Sequence, residues 1–271
     1  MQDFSSYVGK RVVVTGCYSG IGCATAARLI ELGAVVHGLD LRPNALALAS
    51  FAAIDLRDPR SITDGVDAID GPIDALFNCA GIAPGPVPLD VMTINFVGTR
   101  ALTERVLERM TAGGAIVNVA SNGGAGWAAR LPLLLEFVAT ASFDEAANWY
   151  AQRIDALPNA YSLSKEAIIV WTMTASSDLI RRGIRMNCTC PGAVQTPMLE
   201  EIERSTPPAL IDIVAQPIGR RSSAEEQTGP LLFLNSEAAS YVNGAVLPVD
   251  GGFIGARTTG KIDAPAEIGR R

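Results

Sequence analysis

Short apolar runs rich in Val, Ile and Ala recur along the chain, each followed by a longer stretch with helical spacing. Val12–Val14, Ala34–Asp40, Phe51–Asp55, Ile73–Asn78, Ala115–Ala120, Ile184–Cys190 and Ala245–Val249 are bounded by turn residues and read as strands. The stretches Ile21–Leu32, Ser61–Ile69, Val91–Met110, Ala160–Arg182 and Ala224–Leu234 place apolar residues three and four apart and read as helices. Regular alternation of the two predicts a parallel sheet with helices on both faces and right-handed crossovers. The expected fold is therefore α/β: a doubly wound, seven-stranded parallel sheet in a single domain over residues 1–271. No Pro/Ser-rich linker or charge run divides the chain. Ligands of such sheets bind beyond the carboxyl ends of the strands, where the strand order reverses.

Composition narrows the class. The chain has 271 residues, 48% of them hydrophobic, which is ample for a sizeable core, and a net charge of −6 argues against a nucleic-acid footprint. No apolar run is long enough to span a membrane, since the most apolar stretch, 131–141, contains Pro132 and Glu136. Met1-Gln-Asp-Phe4 lacks a basic segment followed by an apolar one, so a cytoplasmic protein is expected. Cysteines stand at 17, 23, 79, 188 and 190 without Cys-x-x-Cys spacing, and His37 is the only histidine. That inventory makes a zinc site and a Ser-His-Asp hydrolase poor readings and suits reduced, packed thiols.

Two motifs carry chemistry. Thr15-Gly-Cys-Tyr-Ser-Gly-Ile-Gly22 joins the first strand to the first helix. Glycines at such a turn allow a tight bend (Gly16), approach of a pyrophosphate to backbone (Gly20) and close helix packing (Gly22), with the phosphates facing the helix N-terminus. Gly16, Ser19, Gly20, Ile21 and Gly22 form the candidate cradle. Asp40 ends the second strand, where a carboxylate accepts hydrogen bonds from ribose hydroxyls and repels a 2′-phosphate; NAD is expected over NADP, with Arg42 the feature that favours the opposite choice. The second motif is Tyr161-Ser-Leu-Ser-Lys165. Four residues apart on a helix, the phenol and the ammonium share a face, and the lysine charge is expected to lower the phenol pKa.

Together the motifs resemble the short-chain dehydrogenase/reductase family from about residue 8 to about residue 253. Asn78-Cys-Ala-Gly81, Asn95, Ser121, Pro191-Gly192 and Asp250-Gly-Gly252 follow in the family's order. The resemblance implies Tyr161 as acid/base and Lys165 as its partner and a ligand of the nicotinamide ribose. Ser121 is implied to hold the substrate oxygen, and Asn95 a water in a proton relay. It implies that Asp55 and Leu56 meet the adenine, that Asn78, Ala80 and Gly81 approach its ribose, and that Pro191, Gly192, Val194 and Thr196 close on the nicotinamide. Cys79 departs from the family's usual asparagine. The family's serine usually lies nearer its tyrosine; here Asn148 stands at that spacing, Ser142 lies in a helical stretch, and Ser121 ends the strand, so Ser121 leads and Ser142 stays open.

A segment of extra length is therefore expected over about 123–159, with a substrate lid over about 196–220. The extra segment and the local sequence are similar to coniferyl-alcohol dehydrogenases and to the 3α-hydroxysteroid dehydrogenase/carbonyl reductase group. The implied activity is hydride transfer between NAD and a bulky apolar or aromatic alcohol. A non-catalytic NAD-binding regulator, and an isomerase or dehydratase on the same fold, are the alternatives. Trp127, Leu131, Leu133–Leu135, Phe137, Phe143, Trp149 and Tyr150, with Met198, Leu199, Ile202, Leu210, Ile211 and Val214, are expected to line an apolar cleft. A homodimer or homotetramer is expected, assembled through the last helix and strand because the extra segment obstructs the tyrosine helix.

Overall fold

All seven apolar runs enter one sheet: β1 (Arg11–Thr15), β2 (Val35–Asp40), β3 (Ser50–Ala53), β4 (Ile73–Asn78), β5 (Met110–Val119), β6 (Arg185–Pro191) and β7 (Val246–Val249). In the computed structural model, which describes residues 7–204 and 206–262, the order is β3-β2-β1-β4-β5-β6-β7 and every pairing is parallel. Ser205 of the expected lid and residues 263–271 of the tail lie outside the described residues.

The strands read as continuous apolar runs because both faces are covered. Val13, Leu76 and Ile116 point into one core layer, and their neighbours Val12, Val14, Phe77 and Val117 into the other. The second layer is covered by α1 (Gly20–Glu31) and, later in the chain, by the helix Ala224–Asn235. The opposite face carries α2 (Pro59–Asp67), α3 (Pro88–Met92), α4 (Thr99–Leu107) and the long helix Ala160–Leu179. Among the described residues no helix is long and apolar enough to cross a membrane.

The expected helix Val91–Met110 differs in two respects. It is interrupted by a π-helical turn, Thr93–Gly98, between α3 and α4. It also ends early: Met110 already pairs with Ile73 at the start of β5. A π turn adds one residue to the helical register, a local expense tolerated mostly at functional positions, and here it carries Asn95.

The extra segment folds as α5 (Leu131–Val138) and α6 (Phe143–Ala151), preceded by a 3₁₀ turn at Trp127–Arg130, and leads into α7 (Ala160–Leu179). Its aromatic residues go mostly inward, against the expectation that they line the cleft. Phe137 stacks on Trp149 at 4.6 Å and meets Phe96 at 5.0 Å, and Phe96 meets Trp171 of α7 at 6.1 Å. The reason is geometric: α7 and the π turn present Ile168, Trp171 and Phe96, and α5 and α6 bury that surface. Arg100, itself buried, donates to the carbonyls of Val138 and Ser142 and to the Thr140 hydroxyl, pinning the α5–α6 turn. Beyond α7 the chain adds α8 (Pro197–Glu203), α9 (Pro208–Val214), α10 (Ala224–Asn235) and α11 (Phe253–Thr258). The lid region is thus helical, and Arg221 ties its two helices through Glu203 at 2.5 Å and Asp212 at 3.6 Å.

Glu166, adjacent in sequence to Lys165, is wholly buried and pairs with Arg130, whose Nε donates to Oε2 at 2.7 Å. Truncating one partner of a buried pair strands the other charge, a loss of about 3 kcal/mol. Arg130→Leu is therefore expected to lower unfolding free energy by about 2–3 kcal/mol in urea, discounted because Arg130 is partly exposed, while Arg130→Leu with Glu166→Leu recovers much of it. A loss no larger than that of an exposed pair, below about 1 kcal/mol, would refute this anchoring role.

Candidate active site

The strand order reverses between β1 and β4, and a cleft of about 370 Å³ opens at their carboxyl ends. The β1–α1 turn and the chain after β4 touch there. Gly16 has φ +70°, and a β-carbon on it would lie 2.7 Å from Ala80 Cα. The Thr15 hydroxyl accepts from the amides of Cys79 and Ala80, both at 3.1 Å, holding the two turns together. A β-carbon on Gly22 would lie 2.2 Å from the Gly16 carbonyl oxygen, so α1 seats directly on the turn. Ser19 caps α1 without a side-chain hydrogen bond, and the first turn has no acidic residue. The amides of Gly20, Ile21 and Gly22 therefore have no partner within the helix and meet no competing carboxylate, which suits a diphosphate.

At one end of the cleft the Asp40 carboxylate accepts from the amides of Tyr18 (2.9 Å) and Arg42 (3.1 Å), and the Arg42 guanidinium lies 3.9 Å over the Tyr18 ring. Asp55 and Leu56 also line this end. Asp55 is gripped by Arg57, whose hydrogen bonds hold its carboxyl below the usual range, and Arg57 reaches on to Asp90 at 3.0 Å. The spacing of motifs does not reveal the Tyr18–Arg42 stack or the Arg57 clamp. Asn78 is placed differently from the other expected contacts. It is buried beneath the cleft, where its amide donates to Thr103 and Asn118, both at 2.8 Å, and Asn118 donates on to Thr172 at 2.9 Å. This chain ties β4 and β5 to α4 and α7. Ala80 and Gly81 do line the cleft, and Cys79 packs beside them with its thiol pushed up to about 12 by burial, so it is inert.

The far wall is Pro191, Gly192, Val194 and Thr196. Thr196 caps α8 and touches the glycine turn, its Cγ2 lying 3.1 Å from where a Gly20 β-carbon would stand. Met198, Leu199 and Ile202 of α8 continue the wall, so part of the expected lid faces the cleft. Leu134, Phe137 and Trp149 do not line it.

Tyr161, Lys165 and Ser121 meet at this end. Asn159 caps α7 by accepting from the amides of Tyr161 and Ser162, which fixes the phenol at the first turn. Ser121 follows the end of β5 and caps the next turn, and its hydroxyl hydrogen-bonds the phenol. Ser142 instead caps α6, accepting from Glu145 at 3.2 Å, and is no part of the cleft. Gly123, unremarked in the motif reading, packs beside both Ser121 and Tyr161. Asn95 is buried beneath the lysine; its amide pairs with both backbone groups of Ile82 (2.8 and 3.1 Å) and donates to Ser164 at 3.3 Å. It braces the loop carrying Gly81.

The electrostatics differ from the simple tyrosine–lysine picture. Burial raises the Tyr161 pKa and the Ser121 hydrogen bond opposes that rise; the lysine is not what sets it. Lys165 Nζ lies 5.7 Å from the phenol ring centre and donates to the Val119 carbonyl at 3.1 Å. Burial lowers the lysine pKa to about 8, and among the described residues no carboxylate offsets it. The ammonium thus keeps donors in reserve for a ligand.

A buried lysine whose folded pKa (about 8) lies below its unfolded value binds fewer protons folded than unfolded between about pH 8 and 10.5. Its contribution to stability therefore rises with pH across that window, and below pH 8 it is destabilising. Lys165→Met is expected to unfold at higher urea than the parent at pH 7, by about 2 kcal/mol, with the gap narrowing between pH 8 and 10.5. A gap that is absent at pH 7 or grows with pH would contradict this.

Known proteins match this chain over most of its length. The family described as short chain dehydrogenase matches residues 10–132, and that described as Enoyl-(Acyl carrier protein) reductase matches 146–254. A coniferyl-alcohol dehydrogenase from Pseudomonas sp. is 38% identical over 244 residues, spanning 90% of this chain and 96% of that protein. The 3-alpha-hydroxysteroid dehydrogenase/carbonyl reductase of Comamonas testosteroni is 31% identical over 250 residues, spanning 89% and 95%. The solved 3-alpha-hydroxysteroid dehydrogenase from Pseudomonas sp. B-0831, complexed with NADH, superposes with a TM-score of 0.78 at 29% identity over 93% of this chain and 99% of that one. A glycine turn at the strand reversal, a serine, tyrosine and lysine meeting in one cleft, and relatives of nearly equal length together make this chain a member of the short-chain dehydrogenase/reductase family of oxidoreductases.

Proposed function

We propose that this chain oxidises a bulky apolar or aromatic alcohol to its carbonyl compound, and runs the reverse, with NAD as the dinucleotide. The observation that carries the reading is the meeting of Ser121, Tyr161 and Lys165 in the cleft that also holds the glycine turn. The bound nicotinamide supplies the hydride acceptor. Tyr161 takes the hydroxyl proton as the carbonyl forms and returns it in reduction, while Ser121 hydrogen-bonds the same oxygen. Lys165 places its ammonium beside the phenol, which favours the tyrosinate once the proton is due to leave, and holds ribose hydroxyls with its spare donors. Asn95 positions the Gly81 loop against the lysine.

Charge distribution supports the substrate class. Among the described residues the charged groups lining the cleft besides Lys165 are Asp40, Arg42, Asp55 and Arg57, at or just beyond the ends of β2 and β3. The same cleft is lined by Ile82, Ile94, Met198 and Leu199, and among the described residues Lys165 is the one cation beside Tyr161, its donors already assigned to the ribose, which leaves no second cation there for a carboxylate or phosphate substrate. The 38% identity to a coniferyl-alcohol dehydrogenase favours an aryl alcohol over a steroid. Asp40 at the ribose end favours NAD, because a 2′-phosphate beside a carboxylate is repelled. The chain is also proposed to form a homodimer or homotetramer through α10 and β7, since α5 covers α7; light scattering that shows only monomer would contradict this.

Tyr161→Phe is expected to lower turnover of coniferyl or cinnamyl alcohol by at least about 100-fold while NAD still binds within a few-fold. Absorbance at 340 nm reads the first and fluorescence titration the second. The parent should use NAD in preference to NADP. Retained activity in Tyr161→Phe would remove the acid/base role, and NAD binding by a parent inert toward every alcohol tried would favour a regulator.

A further inference from the structure

Tyr161 borders two hollows. One is the dinucleotide cleft; the other, about 210 Å³, lies between the loop at Pro84–Pro88, the end of the extra segment and the start of α7. Its apolar walls are Pro84, Val91, Ile154, Leu157 and Pro158, and among the described residues no charged side chain lines it. Two polar side chains of the extra segment line it, Tyr150 and Asn159, and the Asn159 side-chain oxygen is already taken by the amides of Tyr161 and Ser162. Tyr150 is buried, yet its hydroxyl makes no hydrogen bond to any described residue. Nor is that oxygen among the buried polar atoms sealed away without a partner, so it opens onto the hollow. Leaving a tyrosine hydroxyl unpartnered beside apolar walls is costly unless a ligand or water completes it.

We propose that Tyr150 is a specificity-determining residue, and that this hollow takes the aryl ring of the alcohol and reads a hydroxyl on that ring. The inference rests on the alcohol-oxidising reading above. The reacting carbinol lies on the cleft side of Tyr161 and the flat ring extends past the phenol between Val91 and Leu157. A ring hydroxyl at its far end meets the Tyr150 oxygen, which can donate or accept. An unhydroxylated ring fills the same walls and leaves the Tyr150 hydroxyl bare. A hydrogen bond of this kind discriminates by about three- to tenfold. The steroid-sized alternative is disfavoured by the volume of about 210 Å³.

The test compares 4-hydroxycinnamyl alcohol with cinnamyl alcohol, which differ only at the ring hydroxyl. The parent is expected to prefer the hydroxylated alcohol about three- to tenfold in kcat/KM, mostly through KM, and in equilibrium binding measured by calorimetry in the presence of NADH. In Tyr150→Phe that preference falls to near one, in turnover and in binding. Ile154→Trp, which fills the hollow, is expected to weaken binding of both alcohols at least tenfold while NADH still binds. Equal affinity of the parent for the two alcohols, or a preference that survives Tyr150→Phe, would overturn the proposal. A preference seen in binding by a parent that reduces no NAD would uphold the ring-hydroxyl site and sink the alcohol-oxidising reading instead.

Discussion

One close approach governs the whole arrangement: the turn after β1 lies against the chain after β4 with no room for a side chain between them. A β-carbon on Gly16 would sit 2.7 Å from both Ala80 Cα and its amide nitrogen, and one on Gly22 would sit 2.2 Å from the Gly16 carbonyl. Only glycine meets both demands, the second at Gly16 being a positive φ. Thr15 then closes the gap by accepting two amides from the neighbouring turn. Because β1 and β4 are the two strands at which the sheet order reverses, this contact sets where the cleft opens and which amides face it.

The opposite side of the cleft depends on burying a cation. Lys165 is 4% exposed and has a carbonyl, not a carboxylate, as its protein partner. Leaving an ammonium so poorly compensated weakens the fold, and the surroundings are built to tolerate it. The Asn78–Asn118–Thr172 chain locks the strands beneath it. The Arg130–Glu166 pair, the Arg100 contacts and the Phe96–Phe137–Trp149 stack clamp the extra segment onto the helix that carries it. What costs stability also leaves a charge with donors to spare beside a buried phenol, the kind of perturbed pair that functional sites collect.

Much of the fold was legible in the chain because parallel strands buried on both faces leave an unmistakable signature of short β-branched runs between helical stretches. The errors lie where a local rule was overridden by a neighbour. The π turn at Thr93–Gly98 is invisible to periodicity, since it shifts the register by one residue within an otherwise helical pattern. Met110 continues the helical spacing yet pairs with Ile73, because strand pairing decides it. The apolar residues of the extra segment could equally line a cleft or fill a core; Leu134 and Phe137 fill the core because Trp171 and Ile168 offer them a surface.

Residue type and short-range spacing by themselves determined a glycine turn between a strand and a helix, an acid at the end of the second strand, and a phenol and an ammonium one helical turn apart. Tertiary structure decided which serine joins the phenol, which asparagine supports the cleft from below, and that burial, more than the lysine's charge, sets the phenol's acidity. It also decided that Tyr150 borders the second hollow beside the phenol. Those outcomes depend on distances and burial between residues far apart in the chain, which no local pattern encodes.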